Sequence, residues 1–178
     1  TGAKGQDFGA MLGAAGHWQQ SANTNNPADV DTNTAEFTVD LSLEGDSWNI
    51  FGAFVYRWND YKALNSSSQD QSDWGAVVQG GWRFAENTEL FARWDAIFPD
   101  DNNPAFNNSD TWNFLTFGVN QYYAGHAAKA TLDILWSLDD TQSAGQDITS
   151  TGALSGTGLL GDTQENEVVI RAQFQLLF

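Results

Sequence analysis

The stretch EVVIRAQFQLLF (residues 167–178) alternates apolar and polar side chains almost without interruption. Its apolar positions are Val168, Ile170, Ala172, Phe174, Leu176 and Phe178. Arg171, Gln173 and Gln175 occupy positions of the other parity. Successive side chains of a β-strand point to opposite faces, so this period of two predicts a strand with one apolar and one polar face.

The same alternation recurs along the chain, for example in EFTVDLSLE (36–44). The segments predicted to form strands are residues 8–20, 36–44, 48–59, 74–85, 89–98, 112–123, 126–138 and 166–178. Short turns at 44–47, 85–88 and 123–126 alternate with long polar loops at 21–35, 60–73, 99–111 and 139–165. Eight strands joined in this way predict an antiparallel up-and-down meander.

The predicted strands have about ten residues or more, which suits a tilted crossing of a lipid bilayer. Aromatic residues make up 13% of the chain, including eight Trp. Five Trp lie near the long-loop ends of strands and two near the short turns: Trp18, Trp58, Trp74, Trp112 and Trp136, then Trp48 and Trp82. Two aromatic girdles of this kind are typical of transmembrane barrels. The sequence therefore predicts one all-β domain over residues 1–178, an antiparallel up-and-down transmembrane β-barrel.

Composition excludes several other classes of protein. The chain has 7 Lys and Arg against 23 Asp and Glu, and its net charge of -16 repels nucleic-acid phosphates. It has no cysteine, which removes disulfides and thiolate chemistry. His17 has no convincing serine partner in the sequence, so we expect no enzyme and no cofactor. We do expect the acidic loops to bind divalent cations loosely.

Charged residues within the predicted strands avoid the apolar parity, as they must if that face meets lipid. We therefore predict a set of channel-lining residues on the polar face: Arg57, Arg83, Arg93, Lys129, Arg171, Glu36, Asp40, Asp95, Asp133, Glu167 and His17. On this interpretation the cations and carboxylates form ion pairs inside a wet barrel. The alternative is a water-soluble sandwich, in which the same residues would form the solvated outer face.

Several stretches resemble the phosphate-selective porin O and P family, in particular its C-terminal half. They are DFGAMLGAAGHWQQ, VVQGGWRF, ELFARWD, TFGVNQYYAGHAAKATLDILWSL and the closing RAQFQLLF. The resemblance implies a place in the bacterial outer membrane, a barrel of sixteen strands of which eight are present here, and a homotrimer. It also implies that Phe178 is the C-terminal aromatic recognised by the barrel assembly machinery.

The resemblance and the alternation together predict a porin for passive diffusion of small polar or ionic solutes. The long loops are rich in carboxylates and contain a single cation, Lys62, so the entrance should favour cations over phosphate. Eight strands alone enclose a space that side chains fill. The alternative function is therefore a closed barrel that acts as a membrane anchor or adhesion protein without conductance.

Overall fold

The structure is a computed structural model that describes residues 5, 7–21, 30–63, 69–100, 111–125, 127–140, 142–143, 146–147 and 165–177. These residues form strands and no helices, as predicted. The strands are β1 (Gly9–Ser21), β2 (Val30–Gly45), β3 (Trp48–Ala63), β4 (Gln69–Ala85), β5 (Thr88–Phe98), β6 (Trp112–Tyr122), β7 (Ala128–Ser137), β8 (Gln142–Ser143), β9 (Gln146–Asp147) and β10 (Val168–Leu176).

Eight of the strands form one antiparallel sheet in the order β1-β2-β3-β4-β5-β6-β7-β10. Within this sheet, strands that follow one another along the chain are also neighbours. This order confirms the predicted up-and-down connection. The short strands β8 and β9 pair only with each other. They belong to the connection between β7 and β10 and do not widen the main sheet.

The main sheet is open, which differs from the predicted closed barrel. β1 pairs with β2 and β10 pairs with β7, and no ladder joins β1 to β10 within the described residues. Closure requires a particular strand tilt and stagger. The alternation of side chains encodes which residues share a face, but it does not encode this curvature. Consequently β1 and β10 are both edge strands.

Strands β2, β3 and β4 are longer than predicted, with 16, 16 and 17 residues. Much of the predicted loops at 21–35 and 60–73 belongs to these strands. The prediction relied on apolar alternation, whereas strand pairing uses backbone hydrogen bonds that polar residues form equally well. Thr34, for example, donates a side-chain hydrogen bond of 2.8 Å to Asn59 on the neighbouring strand. The extensions are thus rich in polar residues of both parities.

The register gives the sheet two faces of opposite chemistry. The apolar face carries residues such as Leu12, Leu41, Ile50, Trp82, Leu90, Phe117, Ile134 and Ile170. The polar face carries the residues of the other parity, including Glu36, Asp40, Arg57, Glu89, Arg93, Thr116, Asp133 and Arg171. These two names are used below in this sense.

Burial is reversed relative to a water-soluble sheet. On the apolar face the side chains of Leu12 and Ile170 are 73% and 71% exposed. On the polar face Glu89 and Thr116 are only 3% and 1% exposed. Within the described residues, most of the large exposed hydrophobic side chains thus belong to the apolar face, and the buried polar ones concentrate on the other.

Candidate functional site

The polar face collects the residues that the sequence predicts to line a channel. His17 lies opposite Glu36 on β2, and Glu36 lies opposite Arg57 on β3. The remaining predicted residues share this face by the same register: Asp40, Arg83, Arg93, Asp95, Lys129, Asp133 and Arg171. Glu167 precedes β10, and its backbone oxygen accepts a 2.8 Å hydrogen bond from Ser137, which extends the ladder on the same side. The register thus places these residues on the polar face, and their role in lining a channel stays a prediction.

Ion pairs join several of these side chains. Arg171 Nε lies 2.7 Å from Asp133 Oδ1, directly across the β7–β10 ladder. Arg93 Nε lies 2.7 Å from Asp95 Oδ2, two residues along the same strand.

A looser contact of 3.5 Å joins Arg57 Nε to Glu36 Oε1, and both of these side chains are about half exposed. Exposed pairs of this kind contribute only about 0–1 kcal/mol to stability. Their main consequence is to neutralise charge locally.

Glu89 is the centre of a buried hydrogen-bond cluster whose importance the sequence does not reveal. Tyr122 Oη donates a short hydrogen bond to its carboxylate. Asn49 Nδ2 donates at 2.7 Å and Asn120 Nδ2 at 3.3 Å. The carboxylate therefore joins side chains from β3, β5 and β6. Gly81 makes room for it, because a Cβ at this position would collide with Glu89 Oε1.

Arg83 completes this end of the polar face. It lies opposite Glu89 in the β4–β5 ladder, and its guanidinium carbon lies 4.9 Å from the centre of the Tyr122 ring. A guanidinium over an aromatic face at this distance is an attractive cation–π contact. Arg83 therefore stabilises the same cluster from β4.

The polar face also contains apolar side chains that sequence reasoning missed. Trp112, Phe114 and Leu135 form a buried cluster there, with Val169 packed against it. Trp112 is 2% exposed and lies opposite Ile97, so its predicted place in an outward-facing girdle is wrong. The sequence pattern does not show which face Trp112 occupies, because both faces of β6 carry apolar residues near this end.

Other aromatic residues on the apolar face cluster as the girdle prediction expects. Trp48 and Trp82 lie opposite each other beside the short turns. Near the long-loop ends the rings of Trp74 and Phe98 stack with their centres 3.5 Å apart. Trp94 lies between these levels and donates a hydrogen bond of 3.2 Å from Nε1 to Asn113. The hydrogen-bonding capacity of its indole nitrogen is therefore satisfied within the sheet, although Trp94 lies in neither girdle.

Some predicted sites lie outside the described residues. Phe178, proposed as the assembly signal, is one of them, and so is much of the acidic loops. At the long-loop ends that are described, Asp100 accepts hydrogen bonds from the backbone and hydroxyl of Ser72. In the described part of the chain no group of three or more potential ligands converges on a metal site. Loose divalent binding by the acidic loops stays a prediction.

Comparison with known protein families, with curated proteins and with solved structures finds no match to this chain. The resemblance to the porin O and P family therefore stays a prediction. The described residues also contain no helix long and apolar enough to cross a membrane.

Proposed function

We propose that this sheet is part of the wall of an outer-membrane β-barrel that allows passive diffusion of small polar or ionic solutes. The observation that carries the proposal is the reversed burial of the two faces. An apolar face such as that around Leu41 and Ile170 is exposed, while ion pairs and a buried carboxylate lie on the other face. Hydrocarbon is the solvent that suits the first face, and water suits the second.

Strand length supports the same proposal. β5, β6, β7 and β10 have 11, 11, 10 and 9 residues. A tilted strand needs about 9–11 residues to cross the hydrocarbon core. The longer strands β2, β3 and β4 carry polar residues at their loop ends, which would project into water beyond the lipid. An antiparallel sheet also satisfies its backbone groups between strands, as hydrocarbon requires.

The open edges bear on the width of the barrel. Eight strands that closed on themselves would leave an interior filled by side chains, whereas aqueous channels need about sixteen. We propose that further strands, from the same polypeptide or from another copy, pair with β1 and β10. Backbone groups at these edges would otherwise meet lipid without partners. The expected assembly in the outer membrane is a homotrimer, inserted by the barrel assembly machinery with Phe178 as its signal.

A closed anchor or adhesion barrel is the second candidate function. The buried cluster of Trp112, Phe114 and Leu135 favours it, because apolar side chains on the polar face would fill the interior of a narrow barrel. In a wide barrel the same cluster would narrow the passage only beside β6 and β7. The two candidates differ in conductance, since a filled interior passes no current.

Planar bilayer recording tests the proposal. We expect the full-length protein, refolded in detergent and added to a bilayer in KCl, to give discrete current steps. Insertion into vesicles without current would overturn the channel and favour the closed anchor. Folding to a stable sheet in buffer without detergent would overturn both and favour the water-soluble sandwich.

A further inference from the structure

We propose that Asp40 is a selectivity-determining residue of this channel and makes it prefer small hydrated cations to phosphate and other anions. The inference rests on the proposed channel function. It goes further because it assigns the preference to one carboxylate of the sheet, whereas the sequence suggests only the acidic loops.

The position of Asp40 is set by a glycine on the edge strand. Asp40 lies opposite Gly13 on β1 and Ala53 on β3. A Cβ added to Gly13 would lie 2.8 Å from Asp40 Oδ1 and 2.9 Å from Cγ, which is too close for any real contact. The carboxylate therefore lies across the backbone of β1, in space that only glycine leaves open.

Among the residues that the structure describes, the surroundings of Asp40 on β1 to β4 contain no compensating charge. A row of paired residues runs across the sheet through Asp40. On β1 to β4, the polar-face residues in this row or two positions from it along each strand are Met11, Gly13, Ala15, Thr38, Ser42, Phe51, Ala53, Val55, Gly75, Val77 and Gln79. None of these side chains is ionisable. The next charged residues along β2 on this face are Glu36 and Glu44, which are also carboxylates. Asp40 makes no ion pair with any described residue.

Two other carboxylates of the polar face are neutralised by arginines. Asp95 on β5 lies in the same row of paired residues as Asp40, which crosses β3 and β4. Its carboxylate forms an ion pair with Arg93 at 2.7 Å. Asp133 is paired with Arg171 at 2.7 Å. Among these three carboxylates, Asp40 alone acts on a passing ion as a full negative charge.

An isolated carboxylate must remain hydrated, because burying it without a partner is very costly. The part of the polar face formed by β1 to β4 is therefore the wet side of the proposed channel. Walls of low dielectric constant concentrate the field of a single charge, which raises the local concentration of ions of the opposite sign. This arrangement favours cations and opposes phosphate.

Reversal potentials across a KCl gradient test the inference on the full-length protein in planar bilayers. We expect Asp40→Asn to lower the permeability ratio of K⁺ to Cl⁻ by up to roughly 30-fold, because one charge about 4 Å away in water favours K⁺ about five-fold and disfavours Cl⁻ about five-fold. Ser42→Asp adds a carboxylate two residues away on the same face and should raise the ratio. It also tests the inference if Asp40→Asn fails to fold.

A control distinguishes a local effect from a change of total charge. Glu86→Gln removes one carboxylate from an exposed short turn and should leave the ratio unchanged. A silent wild-type protein would overturn the channel and this inference together. A conducting protein whose ratio is unaffected by Asp40→Asn, or by Ser42→Asp where Asp40→Asn does not fold, would overturn this inference alone.

Discussion

Glu89 shows how a carboxylate is held beneath the surface of the polar face. It is 3% exposed, yet Tyr122, Asn49 and Asn120 all donate hydrogen bonds to it. Hydrogen bonds to a charged group contribute about 1.5–3 kcal/mol, and an unsatisfied buried group costs a similar amount. The cluster therefore joins three strands at the short-turn end of the sheet, and it depends on the absence of a side chain at Gly81.

We predict that Glu89→Gln lowers the free energy of unfolding by about 1–3 kcal/mol. The amide keeps one acceptor oxygen and places an NH₂ group against side chains that donate. Urea unfolding of the refolded protein in detergent, followed by Trp fluorescence, measures the change. Glu86→Gln is the matched control, because this exposed turn residue should alter stability by less than about 0.5 kcal/mol. Equal losses in the two variants would contradict the importance of the cluster.

The two faces of β10 provide a second test at the level of residues. Ile170 is exposed on the apolar face, and Gln173 lies opposite Thr131 on the polar face. We predict that Ile170→Arg costs about 2–4 kcal/mol of insertion free energy, whereas Gln173→Arg is tolerated. Recovery of folded protein from lipid vesicles measures this difference. Equal recovery of both variants would overturn the assignment of faces.

At the scale of the strand, the sequence predicts the eight strands of the main sheet and the apolar face of most of them, and the reason is physical. Alternation in EFTVDLSLE and EVVIRAQFQLLF identifies both the strand and its apolar face, because pleating fixes the period at two. Strand ends were missed at Thr34 and from Asp60 onward, where polar residues continue the ladder through backbone hydrogen bonds. Trp112 was assigned to the wrong face because apolar side chains of both parities surround it.

The length of β2 gives an element-scale prediction. Leu41 and Asn33 share one face of this strand and lie eight residues apart, or about 26 Å along an extended chain. We predict that Leu41→Arg blocks insertion, whereas Asn33→Arg is tolerated because Asn33 lies beyond the hydrocarbon. Retention in vesicle membranes after carbonate extraction measures both. If Asn33→Arg is as damaging as Leu41→Arg, the polar extension of β2 does not project into water.

At the scale of the whole molecule, the proposed bilayer location accounts for the apolar surface of the sheet. Exposed Leu, Ile, Phe and Trp side chains cover one face of the sheet. Exposed apolar patches much larger than a few hundred square ångströms mark a surface that contacts a membrane or another protein. Closure of the sheet could not be predicted from the sequence, since residues on the edges β1 and β10 alternate like those of every other strand. Whether these edges meet each other is therefore the decisive question about molecular size.

Disulfide cross-linking answers this question, because the chain has no cysteine of its own. Ala15→Cys on β1 is combined in turn with Cys at Arg171, Gln173 or Gln175 on the same face of β10. We predict no intramolecular disulfide in the refolded monomer, since the edges pair with other strands. Ala15→Cys with Thr38→Cys is the positive control, because directly opposite residues lie about 4.5–5.5 Å apart, within disulfide range. An efficient β1–β10 disulfide would close the barrel at eight strands and exclude a wide aqueous channel.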